Sequence, residues 1–329
     1  MDYEEIAQST ARSGAAKRAA ALGLAVGVPA SLLFLWLAVR DANLDAVWSA
    51  ARGAELWLVA LAVVAVGAVY AFQAARWRIL AASARPGPVG FVEMVIGAVA
   101  CNNVLPGRLG ELFRARWLAV AAPMPSGRAF ATVGLDRGCD VVALFAFLAI
   151  ALPFVAPAVW VTTIAIGAAL LIFLLFTLLL GARWYARRRH RDRHERGRLR
   201  HVIRDLVDTL AEPLGRRLIA RALGLSAAAW AAFAVAVWLV GRSIGIELGP
   251  LECVFVTGVL NLGVAIPSSP GFVGTYQWLA VASLGVLDVG REEALAFSIL
   301  LHASWYVPTT VIGGFLLFFR LDWGLRARR

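Results

Sequence analysis

Pro106-Gly107-Arg108-Leu109-Gly110 and Pro270-Gly271-Phe272-Val273-Gly274 are two versions of one pattern, Pro-Gly-x-x-Gly, and each interrupts an apolar stretch of the chain. In hydrocarbon every unpaired backbone group costs several kcal/mol, so non-helical chain at membrane depth persists only where protein or a watery cavity covers it. A matched pair of such breaks in two halves of a membrane protein points to a transport site between them.

Composition fixes the class in which these breaks are read. Hydrophobic residues make up 60% of the 329 positions and charged residues only 16%, with a mean hydropathy of +0.75. That excludes an ordinary soluble domain. A single membrane domain over 1–329 is expected, because nearly all of the chain is consumed by spanning segments and short loops. Runs long enough to cross a core about 30 Å thick, roughly 20 residues, lie near 21–39, 56–76, 129–152, 158–181, 219–242 and 294–319. Two further regions, 89–122 and 251–287, each consist of two shorter apolar pieces around a Pro-Gly break. Each reads as a helical hairpin that enters and leaves by one face. Two complete crossings per region would keep the same parity, and length favours re-entry. The predicted fold is therefore an all-α polytopic membrane protein with six spanning helices and two oppositely oriented re-entrant hairpins.

Arginine placement orients this bundle, since cytoplasmic loops collect Lys and Arg. Lys17 and Arg18 precede the first span, Arg76, Arg78 and Arg85 follow the second, a dense basic stretch occupies 182–217, and Arg320, Arg326, Arg328 and Arg329 close the chain. All fall on one side if both termini are cytoplasmic and the six spans alternate, and the membrane expected is the cell membrane. The opposite loops carry Asp41, Asp45, Glu247, Glu252, Asp288, Glu292 and Glu293. The hairpins then enter from opposite faces, so 55–152 and 219–319 read as inverted copies. The helix at 21–39 is peripheral and 158–181 connects the copies.

The N-terminus reads as an uncleaved anchor, because its apolar run exceeds a signal-peptide core and no clear small-x-small site follows. Cys101, Cys139 and Cys253 are scattered in apolar segments, which suggests neither a disulfide framework nor a metal site. No cofactor is implied. Leu199, Val202, Ile203, Leu206, Val207 and Leu210 recur at helical spacing beside Arg200 and Arg204, the pattern of an amphipathic helix on an anionic leaflet. The net charge of +11 is thus accounted for by the membrane surface, with no nucleic acid.

Polar residues gather at the breaks. Asn103, Arg108, Glu111 and Arg114 sit at or near membrane depth, where ionisable groups are expensive and mark pathways or pair with one another. Glu111 and Arg114, three apart, share a face if their segment is helical. Arg108 suits a lipid phosphate, since guanidinium makes forked bonds to phosphate oxygens; the alternative is a place at the interface. Asp136, Arg137 and Asp140 form a second group, with the acids one helical turn apart. They could hold Arg108 or Arg114, bind a coupling proton, or form a structural ion cluster. The second break carries Asn261, Ser268, Ser269, Pro270, Gly271, Gly274, Tyr276 and Gln277; Ser268 and Ser269 are candidates to cap the half-helix that follows.

Taken together, 103–114, the Asp136-Arg137-Gly138-Cys139-Asp140 group and the stretch 267–274 resemble the lysylphosphatidylglycerol synthase transmembrane family, also described as flippase-like membrane proteins. The resemblance implies a lipid-translocating membrane domain, found in some members beside a soluble aminoacyl transferase. This chain departs from the family at two positions: Gln277 stands where an acidic residue is common, and His302 near where the last span commonly has an arginine. If those family residues pair, both charges are lost here together. His302, with an ordinary pKa of about 6.5, then becomes either a proton switch or a hydrogen-bonded packing residue.

The expected activity is exchange of an anionic or polar-headgroup lipid between leaflets, the lipid being a phospholipid or polyprenyl phosphate. Arg108 and Arg114 would hold the phosphate, and Asn103 with the Pro106-Gly107 and Gly110 backbone would line the midplane. A membrane-embedded glycosyl or acyl transferase, or a subunit working with a soluble transferase partner, is the alternative. No nucleotide-binding loop, metal cluster or nucleophile–base pair supports it.

Overall fold

The computed structural model describes residues 27–83, 85–105, 109–155, 198–211, 215–264 and 268–326, with isolated positions between 166 and 181. Every regular element among them is helical: α1 (Gly27–Val39), α2 (Leu44–Arg52), α3 (Leu56–Ala81), α4 (Pro88–Val104), α5 (Leu109–Ala121), α6 (Ser126–Ala151), α7 (Arg198–Ala211), α8 (Arg216–Ser243), α9 (Pro250–Gly263), α10 (Thr275–Gly285) and α11 (Arg291–Arg326). Short 3-10 turns occupy Leu152–Phe154 and Pro270–Phe272.

Length divides these helices into two sets. Four are long and apolar enough to cross a membrane: Leu56–Ala81, Ser126–Phe154, Arg216–Ser243 and Arg291–Phe319. They coincide with the runs read at 56–76, 129–152, 219–242 and 294–319. At 1.5 Å per residue the 26 residues of α3 reach about 39 Å. By contrast α4, α5, α9 and α10 have 17, 13, 14 and 11 residues, or about 17–26 Å each, short of a hydrocarbon core about 30 Å thick. They occupy 89–122 and 251–287, the two interrupted regions. Of the run at 21–39 the described part is the thirteen-residue α1; the run at 158–181 lies almost wholly outside the described residues.

Prolines and glycines set the boundaries. Pro88 and Pro250 open α4 and α9, where the missing N–H is no loss. At the first break, Leu105 turns to extended backbone and α5 starts afresh at Leu109. A Cβ on Gly110 would stand 2.0 Å from the carbonyl oxygen of Ala98, so only glycine lets α5 fold back this closely on α4. The Asn102 Oδ1 accepts the Gly110 N–H at 2.8 Å, which closes the turn.

The helices pack in matched pairs around α3 and α8, which lie along one another. Helix α4 rests on α11 and α9 on α6; α4 pairs with α5 and α9 with α10; α5 meets α6 and α10 meets α11. Lipid is as apolar as leucine, so such contacts depend on close approach. Gly313 of α11 accordingly sits against Ala100 and the Ile96 backbone of α4, and Gly258 of α9 sits against Leu148 of α6.

Two further helices lie outside the set of spans and split regions. The loop after α1 holds α2, capped by Asn43, whose Oδ1 accepts the N–H groups of Asp45 and Ala46. Helix α7, read from the sequence as an amphipathic helix on the leaflet, packs against α6, with Gly127 at the backbone of Val202. The basic stretch 182–197 lies outside the described residues.

Candidate functional site

Asp136 and Asp140 lie one turn apart on α6 and face the same way. Arg76 of α3 reaches both: its Nε donates to Asp136 Oδ1 at 2.7 Å and its Nη1 to Asp140 Oδ1 at 2.5 Å, while Nη1 also donates to Ser226 Oγ of α8 at 2.7 Å. Arg114 of α5 pairs through Nη1 with Asp136 Oδ2 at 3.0 Å and through Nε with Glu111 Oε2 at 2.8 Å. Its guanidinium lies 4.8 Å over the ring of Trp77, whose indole N–H donates to Thr132 Oγ1 at 3.1 Å. Arg137 closes the group on Asp136 at 3.1 Å and Asp140 at 3.3 Å.

Three arginines and three carboxylates thus cancel within one cluster. Arg76 and Asp136 have no exposed side-chain surface and Arg114 only 1%, whereas Arg137 is 40% exposed. A buried ion costs several kcal/mol unless its geometry and remaining hydrogen bonds are good; here Asp136 meets three guanidinium groups. The cluster fastens α3, α5, α6 and α8 together. Asp136 takes Arg114, one of the two partners the sequence offered, and Glu111 does share a helix face with Arg114.

Arg76 is the main surprise of the site. The sequence puts it among the loop arginines after the second span, but α3 runs on to Ala81 and turns Arg76 inward. The signal was present: Trp77, Ile79, Leu80 and Ala81 continue the apolar pattern past Arg76, with only Arg78 facing out. Ser226, Trp77 and Thr132 also went unread, because a lone serine, tryptophan or threonine in a span carries no pattern.

The second break is built from neutral groups. Gly274, at φ +89°, is the N-cap of α10, and its N–H donates to the Gln277 side-chain oxygen at 2.7 Å. That bond assigns the Gln277 amide: its nitrogen faces His302 Nδ1 at 2.9 Å. Nδ1 therefore accepts and the proton of the neutral ring sits on Nε2, an assignment made from the hydrogen-bond network. His302 stacks on Trp305 with centroids 4.8 Å apart and lies 4.7 Å from Tyr276 and 5.3 Å from Tyr306. Gln277 and His302, 25 positions apart in the chain, thus meet. Ser268 and Ser269 are not the cap: Ser269 Oγ donates to the Val273 carbonyl and its N–H to Ser31 Oγ of α1. Gly274 with Gln277 does that work because its left-handed backbone brings the Gln277 side chain back onto its own N–H.

The second break meets the end of the helix that precedes the first. The turn Pro270–Phe272 packs on α4, and Gly271, at φ +71°, lies so that a Cβ would stand 3.3 Å from the Asn103 carbonyl oxygen and 2.5 Å from the Tyr306 ring. Asn103 Nδ2 donates to Thr309 Oγ1 at 3.1 Å and Thr310 Oγ1 at 2.8 Å on α11, while its buried Oδ1 has no hydrogen-bond partner. Asn261 donates to the Thr257 carbonyl one turn back on α9. Pro106, Gly107 and Arg108 lie outside the described residues. Among those described, no three His, Cys, Asp or Glu side chains are grouped to hold a metal ion.

Compared with known proteins, residues 20–313 match the family model described as the lysylphosphatidylglycerol synthase TM region. No curated relative matches the chain.

Proposed function

Because the chain belongs to the family of the lysylphosphatidylglycerol synthase TM region, we propose that it is a flippase or scramblase, moving an anionic or polar-headgroup lipid between the leaflets of the cytoplasmic membrane. The contact between the turn at Gly271 and the Asn103 end of α4 carries this reading. It brings two interrupted helices from different halves of the chain together inside the bundle, the arrangement in which a headgroup can be sheltered from hydrocarbon.

The matched packing around α3 and α8 supports reading 55–152 and 219–319 as inverted repeats. On that reading α4–α5 and α9–α10 are re-entrant hairpins opening to opposite faces, and both termini are cytoplasmic. The substrate is a phospholipid, an aminoacyl-phospholipid or a polyprenyl-phosphate lipid, with Arg108 at the first turn as its phosphate contact. Arg114 is neutralised by Glu111 and Asp136, so it joins only when a phosphate takes the place of Glu111, the more exposed of its two carboxylates.

The transferase reading is weaker by the same geometry. Its acid/base candidates, Asp136 and Asp140, are both held by arginines. A soluble transferase partner that uses the translocated lipid fits either reading. Reconstitution in liposomes tests the proposal: labelled phospholipid or polyprenyl phosphate should exchange faster with protein than without, and equal rates would reject it.

A further inference from the structure

Helix α2 and its neighbours present an exposed aromatic surface, edged by both arginines and carboxylates, that the transport reading does not use. Around α2 the side chains fall into three sectors. Val47 is buried against α11, in a cluster with Ala38, Leu295 and Ala296. Leu44 and Trp48, one turn apart, are 62% and 58% exposed. Asp45, Ser49 and Arg52 make an exposed polar face. At about 100° per residue the Leu44–Trp48 stripe lies between the protein-facing side and the polar face.

The position of α2 along the bundle is fixed at both ends. The Asn43 N–H donates to Glu292 Oε1 at 3.2 Å, at the start of α11, and the Glu55 N–H donates to the Ser243 carbonyl at 2.8 Å, at the end of α8. Helix α3 begins one residue later, at Leu56. Three of the four spanning helices thus terminate at the level of α2, which places it at a boundary of the bilayer. Its nine residues extend only about 13 Å and cannot cross. Trp36 and Trp57 are exposed beside it, and Arg40 and Arg52 lie 5.1 Å and 4.6 Å over the rings of Trp36 and Trp48.

We propose that α2 is an interfacial helix whose Leu44–Trp48 stripe is seated in the acyl–headgroup boundary of the bilayer, with Trp36 and Trp57 extending the same belt. Tryptophan prefers this level because its ring is apolar and its N–H polar, and an arginine stacked on the ring keeps its charge at the headgroups. A short amphipathic helix of this kind lies in the plane of the interface. It docks on α11 through Val47, in a cluster against which Trp278 of α10 also packs, so the second interrupted region shares its support with the interfacial helix.

The test uses the full-length protein in phosphatidylcholine vesicles, with Cys101, Cys139 and Cys253 replaced by alanine and one environment-sensitive fluorophore at Leu44→Cys or, separately, Ser49→Cys. Lipids brominated near the top of the acyl chain should quench the label at 44 roughly twofold more than the label at 49, whereas aqueous iodide should quench in the reverse order. A Trp48→Cys label, expected to follow 44, replaces it if that variant does not fold. Iodide quenching of 44 and 49 alike, without bromolipid quenching, would overturn the proposal and make α2 a solvated loop helix. Protection of 44 from both quenchers would also overturn it, by assigning the stripe to a protein contact.

Discussion

Arg76 and Asp136 are 60 positions apart in the chain and meet at 2.7 Å with no exposed surface on either side chain. This pair joins the second predicted span to the third, and through Asp140, Ser226 and Arg114 it draws in α8 and α5. A charge cluster that is neutral as a whole is costly to break one member at a time.

Arg76→Met should therefore leave Asp140 and Asp136 short of countercharge and destabilise the protein by about 3–5 kcal/mol. Arg78→Met, two residues on and exposed, should change stability by less than about 0.5 kcal/mol. Thermal unfolding in detergent, followed by loss of monodisperse protein, compares the two. Equal effects would mean that the buried cluster contributes nothing specific.

Gln277 and His302 permit a charge-swap test. Gln277→Glu alone buries a carboxylate opposite a neutral histidine, and His302→Arg alone buries a cation; each should lower the unfolding temperature. The double variant should recover most of the loss, because the two groups already meet at 2.9 Å and neighbouring positions couple by up to about 3 kcal/mol. Additive losses in the double-mutant cycle would deny that the positions form a pair.

Asn103 separates stability from transport. The hydroxyls of Thr309 and Thr310 keep their bonds to the Trp305 and Tyr306 carbonyls when Asn103 is removed, and Asn103 Oδ1 has no partner to lose. Asn103→Val should cost no more than about 2–3 kcal/mol, two ordinary hydrogen bonds. Lipid exchange should fall at least as far as for a variant that fails to bind substrate. Full exchange activity in a well-folded Asn103→Val protein would remove this residue from the pathway.

Gly110→Ala tests the first turn. Its added methyl meets the Ala98 carbonyl at 2.0 Å, a distance that forces α5 away from α4 and strips the Asn102 contact. Loss of folded protein is expected, whereas Gly134→Ala on α6, where a Cβ meets nothing within 4 Å, should express normally.

The fold was readable where long apolar runs and Pro-Gly breaks leave a strong signal: α3, α6, α8 and α11, and the two split regions, appear where the hydropathy placed them. Short amphipathic elements were harder. Helix α2 hides in nine residues of mixed polarity, and the docking of α7 on α6 depends on the missing side chain of Gly127, which no periodicity records. At the site, the Asp136–Asp140 spacing and the Glu111–Arg114 spacing were local and legible. Arg76 was legible only in part: Trp77, Ile79, Leu80 and Ala81 carry the apolar helix past it, but an arginine near the end of a span looks the same in sequence whether it faces a headgroup or a buried carboxylate. The capping of α10 was missed for a related reason: serine is the common cap, and only the positive φ of Gly274 reveals that Gln277 serves instead.

The central claim is that two hairpins enter from opposite faces and meet within the bilayer. Thiol accessibility measures this directly, in protein whose native cysteines are replaced and single cysteines are placed at Val104 and Val273, which are 61% and 46% exposed beside the two breaks. A small membrane-impermeant reagent should modify Val104→Cys only from the arginine-rich face and Val273→Cys only from the other. Modification of Val104→Cys from the face where α3 begins, or of both positions from a single face, would contradict the paired hairpins and the transport path built on them.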